Sequence, residues 1–270
     1  MIAGKTFREL RWMALAYLLI LEGLCVPVLL WWPDIYAELQ RSSLGDKLPF
    51  DFARKIFEAV RETDPGIAYR NWVAVMLFFR STNLVGVAAA VLFGTGLFAR
   101  ERENLTFEFL LSRPIARGAI LWQKLWPAAL CTTVPLFVVN ASALYWSHCV
   151  EETLPIPQLL LATLHAAVFL LFVLALTTWV SLRLRVQAHV AAAVGALLVL
   201  QIGVYLTQRI RVFSLFRLVD FEWYAPVLAG NTPLWQMLDP VRSHGFTTWL
   251  LLGTLACVLL TWRELRHATP

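Results

Sequence analysis

Charge is scarce in this chain. Asp, Glu, Lys and Arg supply only 15% of its 270 residues, where a soluble domain carries about 25%. Hydrophobic residues make up 59%, an excess that a chain of this length cannot hide in a larger core. A soluble globular enzyme and a disordered chain are both disfavoured. Cysteine is sparse too, with four residues and no CxxC pair. Cys25, Cys131 and Cys257 lie in apolar stretches, where a thiol behaves as a small hydrophobe. Cys149 has His148 beside it, but two adjacent ligands lack the further partners a metal site needs. Neither a zinc site nor a disulfide framework is indicated.

Motifs for catalysis are missing as well. Gly4-Lys5-Thr6 looks like the end of a phosphate-binding loop, but only three residues precede Gly4, and the full pattern needs a glycine five residues before the Gly-Lys pair. ATP is therefore not bound by that motif. Glu151-Glu152 resembles the glutamate pair of some membrane proteases, yet Ile156 stands where an arginine is needed. Neither G-x-S-x-G nor H-E-x-x-H occurs. Asn104-Leu105-Thr106 and Asn140-Ala141-Ser142 match the glycosylation pattern by chance. No repeat or low-complexity tract divides the chain, which reads as one membrane domain over residues 1–270.

Long apolar runs are what the chain does have. A bilayer crossing needs about 20 mainly apolar residues, and six stretches qualify: 12–32, 72–98, 119–145, 158–180, 188–208 and 246–262. The first follows Lys5, Arg8 and Arg11 as a signal sequence would. Its run of 21 residues is longer than a signal core and ends in Trp31-Trp32-Pro33 without a small-residue cleavage site, so it reads as a retained anchor. Trp249 and Trp262 suit the interfaces flanking the short last run.

Six crossings place both termini on one side. With the N-terminus inside, the inner segments hold twelve Lys/Arg and five acids in 52 positions, and the outer ones ten Lys/Arg and twelve acids in 88. Positive charge concentrates inside, so the expected architecture is an all-α membrane protein with six spans, N-in and C-in. The net charge of +5 thereby reports orientation and is no sign of nucleic-acid binding. In the outer loops, residues 52–62 read as an amphipathic helix, at the membrane surface or as an ordinary packed helix. Residues 209–223 show a similar mixture.

Ionisable residues inside spans are costly and default to functional candidates. Glu22 and Arg80 run on antiparallel spans and could meet. Three readings stand: a structural ion pair, a snorkelling Arg80, or a substrate or proton role. His165 reads first as an interhelical hydrogen-bonding group, with a proton relay as the alternative. Pro27, Pro127 and Pro135 each remove a helix hydrogen bond. Gly86, Gly94 and Gly96, with Ala88, Ala89 and Ala90, form a small-residue surface for close helix packing, within the chain or across a dimer.

The most informative stretch joins spans two and three. Leu105, Phe107, Phe109 and Leu110 supply apolar surface there, and Glu101, Arg102, Glu103 and Glu108 a polar side. A short amphipathic helix ending before Pro114 is expected, suited to a groove on a partner or to the lipid surface. The run E-R-E-N-L-T-F-E-F-L-L-S-R-P-I-A-R-G-A-I-L-W-Q-K resembles the segment after the second span of ABC-2-type permeases, the membrane subunits of ATP-binding cassette transporters. Its matching positions are Glu101/Glu103, Thr106, Leu110-Leu111, Ser112-Arg113-Pro114, Arg117 and Lys124. Leu105 departs from the pattern, standing where glycine is usual in the local backbone turn.

The resemblance implies a permease half without catalytic residues or a directly bound cofactor. ATP would act through a separate cytoplasmic ATPase subunit, and a second permease copy or paralogue would complete the path. Glu101, Glu103, Thr106, Leu110, Leu111, Arg113, Pro114 and Arg117 would form the ATPase-docking segment, a cytoplasmic coupling helix, together with the stretch Thr6–Arg11. Export across a bacterial inner membrane is the implied task, with membrane lipid as surroundings. A membrane-embedded enzyme, an ion-coupled secondary carrier and an assembly factor are the alternatives. The lack of a convergent nucleophile, base or metal set counts against the first, and the lack of inverted repeats against the second.

Overall fold

The computed structural model describes residues 2–41, 51–112, 114–231, 238–239 and 246–267. Among these residues the secondary structure is helical, without strands, and six helices are long and apolar enough to cross a membrane. They are α1 (Ile2–Leu30); a continuous span built from α4 (Pro65–Val73), a π-helical segment (Ala74–Gly86) and α5 (Val87–Thr95); α8 (Arg117–Cys149); α9 (Ile156–Arg183); α10 (Gln187–Leu206); and α12 (Phe246–His267). Short helices connect them: α2 (Trp32–Arg41) and α3 (Asp51–Val60) after the first, α6 (Ala99–Glu103) and α7 (Phe107–Leu111) after the second, and α11 (Phe221–Leu228) before the last.

Several spans extend beyond the apolar runs that announce them, most of all α1. Its buried residues Ile2, Thr6, Leu10, Tyr17, Leu21, Cys25 and Leu29 recur at intervals of four or seven positions. That spacing lines one helical face, so the charged N-terminal stretch continues the same buried stripe. The stripe packs along α8, while α9 sits centrally against α5, α8 and α12. Lipid tails are as apolar as leucine, so close packing and interhelical hydrogen bonds hold such helices together. Gly94 illustrates the first: a Cβ there would lie 2.7 Å from the Cβ of Thr177 on α9. At Gly86 it would meet Leu170, also on α9, at 3.0 Å. This small-residue surface is therefore used inside the chain, whereas Gly96 has no such close neighbour.

The second span begins at a built cap. Asp64 Oδ1 accepts from the backbone N–H of Gly66 at 2.9 Å and of Ile67 at 3.4 Å, and Pro65 starts the helix where its missing N–H costs nothing. In the π-helical stretch the hydroxyls of Ser81 and Thr82 donate to the carbonyls of Met76 and Leu77, five residues back. Helices α1 and α8 run through Pro27, Pro127 and Pro135.

Interactions between chain segments define two ends of the bundle. At one, Lys5 and Lys124 meet Glu101, Gln187 meets Glu103, and Arg183 meets Glu264. At the other, Trp32 meets Glu152 and Lys55 meets Glu222. Glu152 is thus engaged by an indole from α2. The expected amphipathic helix at 52–62 corresponds to α3. Residues 209–223 form no single helix. They make two 3-10 turns, Arg211–Phe213 and Leu215–Val219, before α11 begins. Ser214 breaks the run, its hydroxyl accepting from the Phe216 N–H and donating to the Gln201 carbonyl at 2.8 Å. Asp220 then gathers Arg211 and the Tyr205 hydroxyl against it.

Candidate functional site

The connection between the second and third long helices is a pair of short helices, where a single one was expected. Helix α6 ends in a Schellman arrangement: the Thr106 N–H reaches the Glu101 carbonyl at 2.8 Å and the Leu105 N–H the Arg102 carbonyl at 3.1 Å. That closure requires a left-handed residue, normally glycine, just beyond the helix. Leu105 takes this role with φ 56°. The turn that the glycine-to-leucine departure had left open is therefore formed, with a residue whose Cβ makes the conformation costly.

The turn points apolar side chains outward. Leu105 is 81% and Phe109 74% exposed, and Glu103 and Glu108 are exposed beside them. Phe107, Leu110 and Leu111 are buried, with Phe107 edge-on to Phe98 and under the Arg102 guanidinium. Leu110 and Leu111, expected on the docking surface, instead hold α7 to the bundle, because a five-residue helix can bury only one face. Arg117 donates to the Leu111 carbonyl at 3.0 Å and so closes the C-terminal end of α7. Pro114 is exposed, and Arg113 lies outside the described residues.

Beneath the turn sits an ion-pair hub. Glu101 accepts from Lys124 Nζ at 3.1 Å and Lys5 Nζ at 3.2 Å, and its other carboxylate oxygen from the Thr106 hydroxyl. Lys124 is almost wholly buried, 5% exposed at its side chain, with its ammonium 5.6 Å from the centre of the Phe98 ring. Burial by itself would raise the Glu101 carboxyl. The Thr106 hydroxyl and the Lys124 and Lys5 ammoniums outweigh it and hold the group at about 2. Arg100 and Glu9 add a contact at 3.7 Å. Glu103 accepts from the backbone and side-chain N–H groups of Gln187 at 3.3 and 3.4 Å, capping the start of α10. The two acids therefore tie α6 to α1, α8 and α10. Sequence reasoning placed them on a docking surface and missed Lys5 as their partner. The adjacency of Lys5 to Thr6, on a helix that buries Thr6 and Leu10, was the available signal.

The intramembrane polar residues separate. Glu22 accepts from the Ser142 hydroxyl on α8 at 2.9 Å. Arg80 is exposed on the bundle perimeter, its guanidinium 3.8 Å from Met76 Sδ on its own segment. No ion pair joins Glu22 to Arg80 among the described residues. The stripe that packs α1 on α8 turns Glu22 toward α8, while Arg80 points outward. His165 is fully buried. Its Nε2 lies 2.7 Å from the Leu218 carbonyl and its Nδ1 2.7 Å from the Thr247 hydroxyl. A carbonyl only accepts, so Nε2 carries the proton and Nδ1 accepts from Thr247. The ring stacks on Trp223 at 3.7 Å. This is the interhelical hydrogen-bonding role. Among the described residues no group of three or more His, Cys, Asp or Glu could hold a metal ion.

A family-level sequence model described as ABC-2 family transporter protein matches residues 35–211. Among curated proteins, none matches the chain. The matched stretch runs from α2 through the hub and the α6–α7 turn to the end of α10. Helices α1 and α12 lie outside it yet pack into the same bundle, on α8 and α9. The match and the six apolar helices agree: the chain belongs to the ABC-2 transporter family and is a multi-pass membrane permease.

Proposed function

We propose that this permease couples to a separate cytoplasmic ATPase through the α6–α7 turn, and that the hub end of the bundle, with both termini, faces the cytoplasm. The excess of positive charge in the segments that meet there supports that orientation. The observation that carries the coupling is the division of labour within the turn. Leu105 and Phe109 stand out at its tip, while Glu101 and Glu103 fasten its base to the starts of α1, α8 and α10. A partner that grips the tip pulls on three spans at once. ATP binding and hydrolysis belong to the ATPase, which this chain serves as a mechanical receiver and needs no catalytic residue of its own.

A second permease, copy or paralogue, completes the transport path. The outward face of α10, with Val199 68% and Leu200 61% exposed, is apolar enough to meet it or lipid. Closure of paired ATPases would then rock the two bundles against each other, in the direction of export from a bacterial inner membrane. The test is co-purification with the cognate ATPase. Phe109→Asp, paired with Leu105→Asp, should abolish the association and the transport-coupled part of ATP hydrolysis while leaving membrane insertion intact. Retention of the ATPase at wild-type levels would overturn the docking assignment.

A further inference from the structure

A recess at the hub end lies apart from the α6–α7 tip. It has a volume of about 300 Å³ and is lined by Arg102, Leu182, Arg263, Glu264 and His267, from the ends of α6, α9 and α12. Its carboxylate is already engaged: Glu264 accepts from Arg183 at 2.6 Å and from the Trp179 indole at 3.0 Å. Its cations are less well served. The Arg102 Nε is buried without a hydrogen-bond partner. Burial and the neighbouring Arg185 guanidinium both press against the charge of Arg102, with Glu264 opposing them. A cluster of guanidiniums that shares one carboxylate around a cavity calls for a further anion.

Helix α12 says what kind. Leu252, Ala256 and Leu260 are exposed on successive turns of one face. At the same helical spacing that stripe runs on into Arg263 and His267, both exposed. Trp262, 40% exposed, and Trp179 stand at the junction between the two, where amphipathic rings sit at the level of lipid headgroups. A free anion would satisfy the recess and leave the stripe unused. An acidic side chain from a partner would do the same. An anionic amphiphile satisfies both.

We propose that this recess binds the phosphate headgroup of an anionic phospholipid, whose acyl chain lies along Leu252, Ala256 and Leu260. The site stands independently of the coupling role of the α6–α7 turn, since it needs only that the chain sits in a bilayer. Arg102 and Arg263 hold the phosphate from two sides, Arg185 widens the positive field, and the His267 ring N–H can donate to a phosphate oxygen.

The full chain, purified in neutral detergent, is exposed to equal amounts of phosphatidylglycerol and phosphatidylcholine with identical acyl chains, and retained lipid is counted by native mass spectrometry. Phosphatidylglycerol should be retained about tenfold over phosphatidylcholine, since each basic side chain near the headgroup contributes about fivefold before screening. Arg102→Gln with Arg263→Gln should bring the ratio close to parity, and Arg263→Lys should keep it. Arg263→Gln alone, on an exposed site, supplies the reading if the double variant does not fold. Leu260→Asn should weaken retention of both lipids at the site. Parity in the wild type, or an unchanged preference in the arginine variants, overturns the proposal. Displacement of the lipid by millimolar inorganic phosphate would make this a free-phosphate site and overturn the lipid assignment. Loss of a co-purifying ATPase without loss of lipid preference would assign the cluster to protein docking instead.

Discussion

Replacing Glu101 by glutamine removes one charge and nearly nothing else, so the hub can be weighed directly. Glutamine keeps a carbonyl that accepts from Thr106. What it leaves behind is the Lys124 ammonium, 5% exposed and now without its carboxylate. Breaking a fully buried ion pair from one side costs about 3–5 kcal/mol. Glu101 retains 12% exposure at its side chain, so the lower limit applies, about 3 kcal/mol. Lys5 is 60% exposed and adds less than about 1 kcal/mol. At about 2–4 °C per kcal/mol for a chain of this size class, Tm should fall by about 6–12 °C, read by tryptophan fluorescence of the protein in detergent. The variant Glu101→Gln/Lys124→Met removes both charges and should return to within about 1 kcal/mol of the wild type, because no orphan cation remains. The acid limb offers a second reading. The folded-state carboxyl titrates at about 2, below the unfolded value of about 4.3. Its contribution is fully present above the unfolded value and is lost as pH falls from there through about 2. Glu101→Gln should lack that limb. A Tm shift below about 2 °C, or Lys124→Met adding its cost to that of Glu101→Gln, would refute the hub.

Other substitutions test neighbouring claims. Leu105→Gly should raise stability by about 0.5–1 kcal/mol, since the left-handed conformation costs leucine about 1–2 kcal/mol and glycine's extra unfolded-state freedom offsets part of the relief; a lower Tm would contradict the Schellman assignment. Gly94→Ala should cost about 1–3 kcal/mol by forcing α5 off α9, whereas Gly195→Ala, with open space around its Cβ position, should be neutral or stabilising. Equal effects at the two glycines would dismiss the close crossing. His165→Phe keeps the ring against Trp223 but leaves the Leu218 carbonyl and the Thr247 hydroxyl unpaired, for a loss of about 2–4 kcal/mol. A transport defect at unchanged Tm would point to a proton-relay role after all.

Much of the architecture was legible from composition and periodicity. Each of the six apolar runs overlaps one long helix, because crossing a bilayer requires an uninterrupted apolar stretch with all backbone groups bonded internally. The helix ends were less legible. Polar residues at a span's end carry no apolar signal, so α1 extends back to Ile2 and α12 on to His267. Around residues 101–117 the residue types were informative about the segment but poorly informative about the direction each side chain faces. Glu101 and Leu110 are positions of the motif and Phe109 lies between them, yet the first two turn inward and Phe109 outward. The pairing imagined for Glu22 and Arg80 failed for the same reason: antiparallel spans permit a meeting, and helix rotation decides it.

By itself, then, the sequence determined the membrane as solvent, the number of spans, and the place of the polar turn between the second and third of them. These properties belong to contiguous stretches and their spacing, and survive any rotation of one helix against another. Only the tertiary structure decided that Lys5 and Lys124 converge on Glu101, that Glu103 caps α10, that the glycine surface serves α9, and that Arg102 shares a recess with Arg263 and His267. Each of these joins residues distant along the chain, and such contacts depend on the azimuth of whole helices, which small packing differences at Gly86, Gly94 and the α1 stripe set.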